Sequence, residues 1–203
     1  MDEPRSSRVG PSGAIASAAE TLIRRARPDD VPALAWVRSA SWRAAYRGII
    51  PERSLARTAE LDLARMRRAV SDRRWGQMVW VAHDPDGTVF GYTWSGPQLD
   101  RSCAPYLGEI YELYLHPAWQ RRGIGRRLLV HTVWDLVGRG LNPAMLWVLA
   151  ENSARDFYAA CGAVPFGQRR IDVGGRLTAK LGFGWPDALP LPDVPALRRS
   201  SGS

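Results

Sequence analysis

Gln120-Arg121-Arg122-Gly123-Ile124-Gly125, with Arg126 and Arg127 directly after it, is the stretch on which the reading of this chain turns. It follows a strand-like run, Gly108 to Leu115, and opens a helix-like run, Ile124 to Val137. A strand, a glycine turn and a basic helix start together form a cradle for a pyrophosphate. The first N–H groups of a helix have no intrahelical acceptor and point outward as donors, and the helix dipole adds positive potential at the same end. Gly123 and Gly125 let phosphate oxygens reach the backbone with no Cβ in the way. The arginines raise the potential further. The competing reading is a helix that simply starts with a basic, solvated first turn. The chain has no G-x-x-x-x-G-K-[ST] loop and no G-x-G-x-x-G here, so neither nucleotide motif applies.

Working outward, the periodicity predicts a mixed α/β domain. Thr21–Arg27 reads as a first strand, and Pro28-Asp29-Asp30 starts a helix over Val31–Tyr46 with Leu34, Val37, Ala40, Trp42 and Ala45 at helical spacing. A second helical region runs from Pro51 to about Val70. Gln77–His83 and Val89–Ser95 are strands joined by the turn Asp84-Pro85-Asp86-Gly87. After the phosphate turn and its helix come an apolar strand, Ala144–Leu149, a short helix, Ser153–Cys161, and two strands within Val164–Val173 and Leu177–Phe183, joined at Gly174-Gly175. A right-handed β-α-β connection makes Gly108–Leu115 and Ala144–Leu149 parallel.

Composition sets outer bounds. The 203 residues, 45% hydrophobic and 24% charged, suit one domain with a full core. It is expected over residues 20–185, between a disordered leader, 1–19, and a Pro/Ser-rich flexible tail, 186–203. No apolar run approaches the roughly 20 residues of a membrane span. Cys103 and Cys161, the only cysteines, fit neither a disulfide framework nor a metal spacing, and His83, His116 and His131 are scattered. A reduced, cytoplasmic setting and no metal are the expectation. The net charge of +8 is almost all arginine, with Lys180 the only lysine. That imbalance looks like codon bias and is not counted toward nucleic-acid binding, which stays open.

The segment from Glu109 through His116-Pro117 to Gly125 resembles motif A of the GNAT N-acetyltransferases, whose signature is [QR]-x-x-G-x-[GA] after a strand. Asn152-Ser153-Ala154-Arg155-Asp156-Phe157-Tyr158, with Gly162 beyond, resembles motif B. The two blocks have the family's order and separation, and the resemblance covers roughly Thr21 to Trp185. It implies a mainly antiparallel sheet of about seven strands flanked by helices, with a splayed central parallel pair. It also implies acetyl-CoA as co-substrate, its pantetheine arm threading the splay. The residues it assigns to the cofactor are Leu113, Tyr114, Leu115, Gln120, Arg121, Arg122, Gly123, Ile124, Gly125, Arg126, Asn152 and Arg155. Leu113 would polarise the thioester carbonyl through its backbone N–H, and Leu115 would pair with pantetheine.

Acetyl transfer to an amine needs a base, a polarised carbonyl, an acid for the leaving thiolate, and alignment. Glu109 is the first choice of base, because the family's histone acetyltransferases carry a catalytic glutamate eleven residues before the motif A glutamine, the offset of Glu109 from Gln120. A carboxylate half-buried in a strand has a raised pKa, which suits the task. Glu112 is the runner-up, on the opposite face of a regular strand but not of a bulged one. Alternatively, both glutamates pair with arginines, and an ordered water relays the proton. Tyr158 is the expected acid, with aromatic filler beside Phe157 as its other reading. Asn152 is expected to cap the motif B helix with Ser153 beside it. It lies six residues before Tyr158, where many members have seven.

The acceptor pocket is expected between the first helices and the last hairpin, with Trp36, Trp42, Tyr46 and Trp94 as candidate lining. The expected acceptor is a primary amine of a small molecule, protein or peptide. Two alternatives stand beside it: acetylation of an aminoacyl-tRNA, and a CoA-binding regulatory module without turnover. A homodimer is left open.

Overall fold

The computed structural model describes residues 20–46, 63–72, 76–173 and 175–186. The expected leader, the tail beyond Pro186, the first part of the second helical region and Gly174 lie outside them. Seven strands form one sheet: β1 (Leu22–Arg25), β2 (Met78–His83), β3 (Val89–Pro97), β4 (Gly108–Leu115), β5 (Ala144–Leu149), β6 (Val164–Val173) and β7 (Arg176–Trp185). Their order across the sheet is β1-β2-β3-β4-β5-β7-β6. Every neighbouring pair is antiparallel except β4 and β5.

The helices are α1 (Val31–Tyr46), α2 (described over residues 63–71), α3 (Ile124–Gly138) and α4 (Ala154–Ala160). Apolar spacing decides where they lie. Val31, Leu34 and Val37 of α1 and Met66 of α2 are buried against Val79, Val81, Tyr92 and Trp94 on one face of the sheet. Leu129, Val133 and Leu136 of α3, with Tyr158 of α4, are buried against Ile110, Leu146, Phe183 and Trp185 on the other. The start of α1 is fixed from the sequence side. Asp30, fully buried, accepts from the Arg27 N–H at 2.7 Å and holds Arg24 through both guanidinium nitrogens at 2.7 and 2.9 Å. That ties β1 to the helix it precedes.

Two irregularities lie in β4. Trp94 faces Glu112 and Ser95 faces Ile110, so Tyr111 is the extra residue of a β-bulge. On the other side, β4 pairs with β5 only through Gly108↔Ala144, Glu109↔Met145 and Ile110↔Leu146. Beyond Leu146, β5 continues against β7 alone. The central parallel pair is therefore splayed, as the family resemblance implies.

The paired end of β4 is packed tightly. A Cβ on Gly108 would collide with the backbone carbonyl of Leu141, which cannot rotate away as a side chain could. Gly108→Ala should therefore cost about 2 kcal/mol of stability, read as a lower urea midpoint with an unchanged slope.

Candidate active site

The chain leaving β4 is built as a sharp turn. His116 accepts the Ala118 N–H on Nδ1, closing a 3-10 turn over Pro117–Trp119. Gln120 is exposed, yet its amide turns back to the chain. Its Nε2 donates to the Leu115 carbonyl at 2.9 Å, and the Ser41 hydroxyl donates to the same oxygen at 3.1 Å. Gln120 thus fixes the turn to the end of β4. Arg121 and Gly123 then take left-handed backbone angles, φ 61° and 79°. At Arg121, a non-glycine residue, this conformation is uncommon and strained. Arg121, Arg122 and Gly123 are exposed, whereas Ile124 is buried and anchors α3. The N–H groups from Arg121 to Arg126 have no backbone acceptor among the described residues. An exposed row of donors at a helix start, beside arginines, is an anion site in its physics.

Motif B meets motif A at this point. Phe157 of α4 lies against Gly125, where an added Cβ would stand 3.6 Å from the ring, an ordinary contact. The Asn152 Oδ1 accepts the Ala154 N–H at 2.9 Å, whereas Ser153, the residue at the N-cap, makes no side-chain capping bond. Asn152 therefore does the capping from one residue further out. The Nε of Arg155 is buried without a hydrogen-bond partner. Tyr158 is buried on the inner side of α4, in the cluster that holds Ile110, Leu146 and Val148. Those are residues of β4 and β5 at and just past the point where the strands part. Leu113 packs on the same side, while Tyr114 lies on the other and accepts the Trp42 indole N–H at 2.7 Å through its hydroxyl.

The bulge brings both glutamates to the face opposite Tyr158. Their surroundings differ. Glu112 accepts from the Tyr92 hydroxyl at 2.6 Å on one oxygen and from Arg38 at 3.4 Å on the other. Burial, with the Glu112 charge second, pushes the Tyr92 phenol well above its usual range. Glu109 is 9% exposed and accepts only the Leu99 N–H, at 3.1 Å, among the described residues. Burial raises its pKa, with the Leu99 bond, Lys180 and Arg169 opposing. Arg169 itself is held by Asp100, by the Ser102 hydroxyl at 2.6 Å and by Cys103 Sγ at 3.0 Å, and it lies over the Trp147 ring.

The aromatic residues named from sequence are mostly engaged with the fold. Trp36 stacks on His116 with centroids 4.1 Å apart, Trp94 is buried and donates to Gln77, and Trp42 carries Arg38 over its ring. The Tyr46 side chain lies outside the described residues. Sequence reasoning passed over Lys180 and Arg169. A lone lysine in an arginine-rich chain was the available signal.

This geometry has counterparts in known proteins. A family model described as "Acetyltransferase (GNAT) domain" matches residues 75–162. The chain is 31% identical over 170 residues to the uncharacterized N-acetyltransferase YuaI of Bacillus subtilis, covering 81% of this chain and 92% of that protein. This chain belongs to the GNAT family of N-acetyltransferases. The enzyme is an acyl-CoA-dependent N-acyltransferase. It is also 36% identical over 77 residues to the mycothiol acetyltransferase of Rhodococcus erythropolis, a match that spans 38% of this chain and only 25% of that protein. Its fold is similar to the crystal structure of the PaiA N-acetyltransferase of Thermoplasma acidophilum in complex with coenzyme A. The TM-score there is 0.63 at 20% identity, over 81% of this chain and 99% of that one. No helix among the described residues is long and apolar enough to cross a membrane.

Two predictions separate ligand from fold. Gly125 has helical angles and room for a methyl group. Gly125→Ala should keep or raise Tm, since alanine favours a helix by about 1 kcal/mol over glycine. It should weaken coenzyme A binding at least about tenfold in calorimetry if phosphate oxygens approach that backbone. Gly123→Ala confounds the two, because its left-handed angle strains any side chain. The second prediction concerns Glu109. With its pKa raised, the ionised form destabilises the fold at neutral pH. That penalty fades as pH falls through the raised value and is gone below a glutamate's ordinary one. Glu109→Gln should therefore raise Tm at neutral pH, and the difference should vanish in acid, as differential scanning calorimetry would record.

Proposed function

We propose that the enzyme transfers the acetyl group of acetyl-CoA directly to a primary amine of a small molecule, protein or peptide. The pantetheine arm lies between β4 and β5, and the pyrophosphate sits on the first turn of α3. The observation that carries the reading is the division of labour across the parting strands: Glu109 on one face, Tyr158 on the other, and three paired residues holding the strands together just before they separate.

Each part has a physical task. The open edge of β4 beyond Ile110 offers backbone groups to the pantetheine amides. The Leu113 N–H polarises the thioester carbonyl. The donors of residues 121–126 and the arginines at 121, 122, 126 and 155 hold the phosphates. Glu109 takes the proton of the incoming ammonium. Its burial supports that role, as does its one unengaged oxygen, whereas both oxygens of Glu112 are already engaged by Tyr92 and Arg38. The neutral amine adds to the carbonyl carbon, the C–S bond breaks as Tyr158 protonates the departing sulfur, and the second proton of the adduct nitrogen passes to solvent, which restores Tyr158. Glu112 acts as a positioning residue for α1 against β4. Among the described residues, three arginines of the acceptor face are committed: Arg38 to Glu112, Arg169 to Asp100, and Arg65 to the Trp94 ring at 4.7 Å. They do not form the open basic row that an aminoacyl-tRNA needs.

The test is kinetic, with an acceptor found by a thiol-release screen over amines, peptides and charged tRNA. Tyr158→Phe should lower kcat about a hundredfold with acetyl-CoA affinity almost unchanged, because only the leaving-group proton is lost. Glu109→Gln should lose the acidic limb of the pH–rate profile and recover toward alkaline pH, where free amine is abundant. Profiles that superimpose on wild type at every pH would remove Glu109 from the mechanism and make a water chain the base.

A further inference from the structure

Lys180, the only lysine of the chain, stands on the face where an acceptor amine has to approach. It lies on β7 directly opposite Leu149, three residues past Leu146, where the pairing of β4 and β5 ends. Its Nζ lies 4.8 Å from the centroid of the Trp147 ring. Trp147 precedes Leu149 by two residues on the same face, so the side chain leans back along β5 toward the junction. Glu109 faces it there from β4, Arg169 from β6, and Asp100 and Cys103 from the turn between β3 and β4. Arg169 is tied by hydrogen bonds to Asp100, Ser102 and Cys103. The Lys180 side chain makes no hydrogen bond or ion pair among the described residues. Burial lowers its pKa, Arg169 adds to that, and Glu109 opposes it, so neutral amine is more abundant than on an exposed lysine.

We propose that Lys180 is acetylated by its own enzyme, its Nζ attacking acetyl-CoA held between β4 and β5 of the same chain. This rests on the reading that acetyl-CoA occupies that gap. The ammonium gives a proton to Glu109. The amine adds to the thioester carbonyl carbon, an N–C bond forms, the C–S bond breaks, and the thiolate takes a proton from Tyr158 and leaves as CoA. The second proton of the adduct nitrogen goes to solvent, which reprotonates Tyr158, and Glu109 releases its proton to solvent. One acetyl-lysine, one CoA and one released proton balance the step. The modification removes the cation facing Glu109 and puts an acetyl group into the acceptor cleft, so acceptor turnover falls as Lys180 fills.

The full chain is incubated with acetyl-CoA and no acceptor, cleaved at arginine, and its peptides are weighed by mass spectrometry. Calorimetry on the same preparation measures CoA binding. The expected result is one acetyl group on the Lys180 peptide, formed with a rate constant independent of enzyme concentration. The rate should saturate in acetyl-CoA, rise with pH, and be suppressed by excess free CoA. Lys180→Arg should lose that label entirely while its CoA affinity stays that of wild type. CoA binding without label on Lys180, even at alkaline pH, overturns the proposal and leaves the gap reading intact. Label that excess CoA does not suppress is solution chemistry and also overturns it. Failure to bind CoA at all overturns the gap reading and this proposal with it.

Discussion

The parting of β4 from β5 after three paired residues is the constraint on which the rest of the structure depends. A strand at the centre of a sheet normally finds hydrogen-bond partners on both edges, because orphaned backbone groups are costly. From Tyr111 to Leu115, β4 has β3 on one edge and, among the described residues, no strand on the other. The turn that follows adds a second row of backbone donors with no backbone acceptor, at the start of α3. The two deficits adjoin, since Gln120 binds the turn to the last carbonyl of β4. A ligand with amides along its arm and phosphates at its end satisfies both at once, which is the chemical description of a coenzyme A thioester.

The bulge at Tyr111 is the second determinant. In a regular strand Glu109 and Glu112 would project to opposite faces. The extra residue puts them on the same face and leaves them in unlike surroundings. Glu112 is locked between Tyr92 and Arg38 as part of the contact between α1 and the sheet. Glu109 keeps a single hydrogen bond and a raised pKa. Two carboxylates three residues apart thus become a strut and a titratable group through one backbone irregularity.

Much of this was legible in the sequence because local patterns carried it. The apolar run of Ala144–Leu149, the strand–glycine–helix order around Gly123 and the Asp-Pro-Asp-Gly turn predict elements that the fold contains at almost the same limits. Contacts between distant residues were not legible. The bulge depends on which residues of β3 face β4, and only Trp94 and Ser95 in register reveal it. Gln120 reads as a phosphate ligand from its motif, yet its amide turns back to Leu115. The cap of α4, by contrast, is local and was legible: Asn152, expected to cap that helix, accepts the Ala154 N–H. Lys180 is conspicuous in sequence as the only lysine, but its place on the side of Glu109 follows only from the pairing of β7 with β5.

The final hairpin joins the sheet through one strand. β7 pairs with β5 along Ala144–Leu149, and β6 pairs with β7 alone. The wall carrying Arg169 and Lys180 is thus contiguous in sequence, within 164–185, while the strand, turn and helix of motif A occupy 108–138. Evolution can rewrite the first segment without editing the second. On the proposed reading, a substitution in the hairpin alters what touches the acceptor and leaves the strand, turn and helix of motif A unedited.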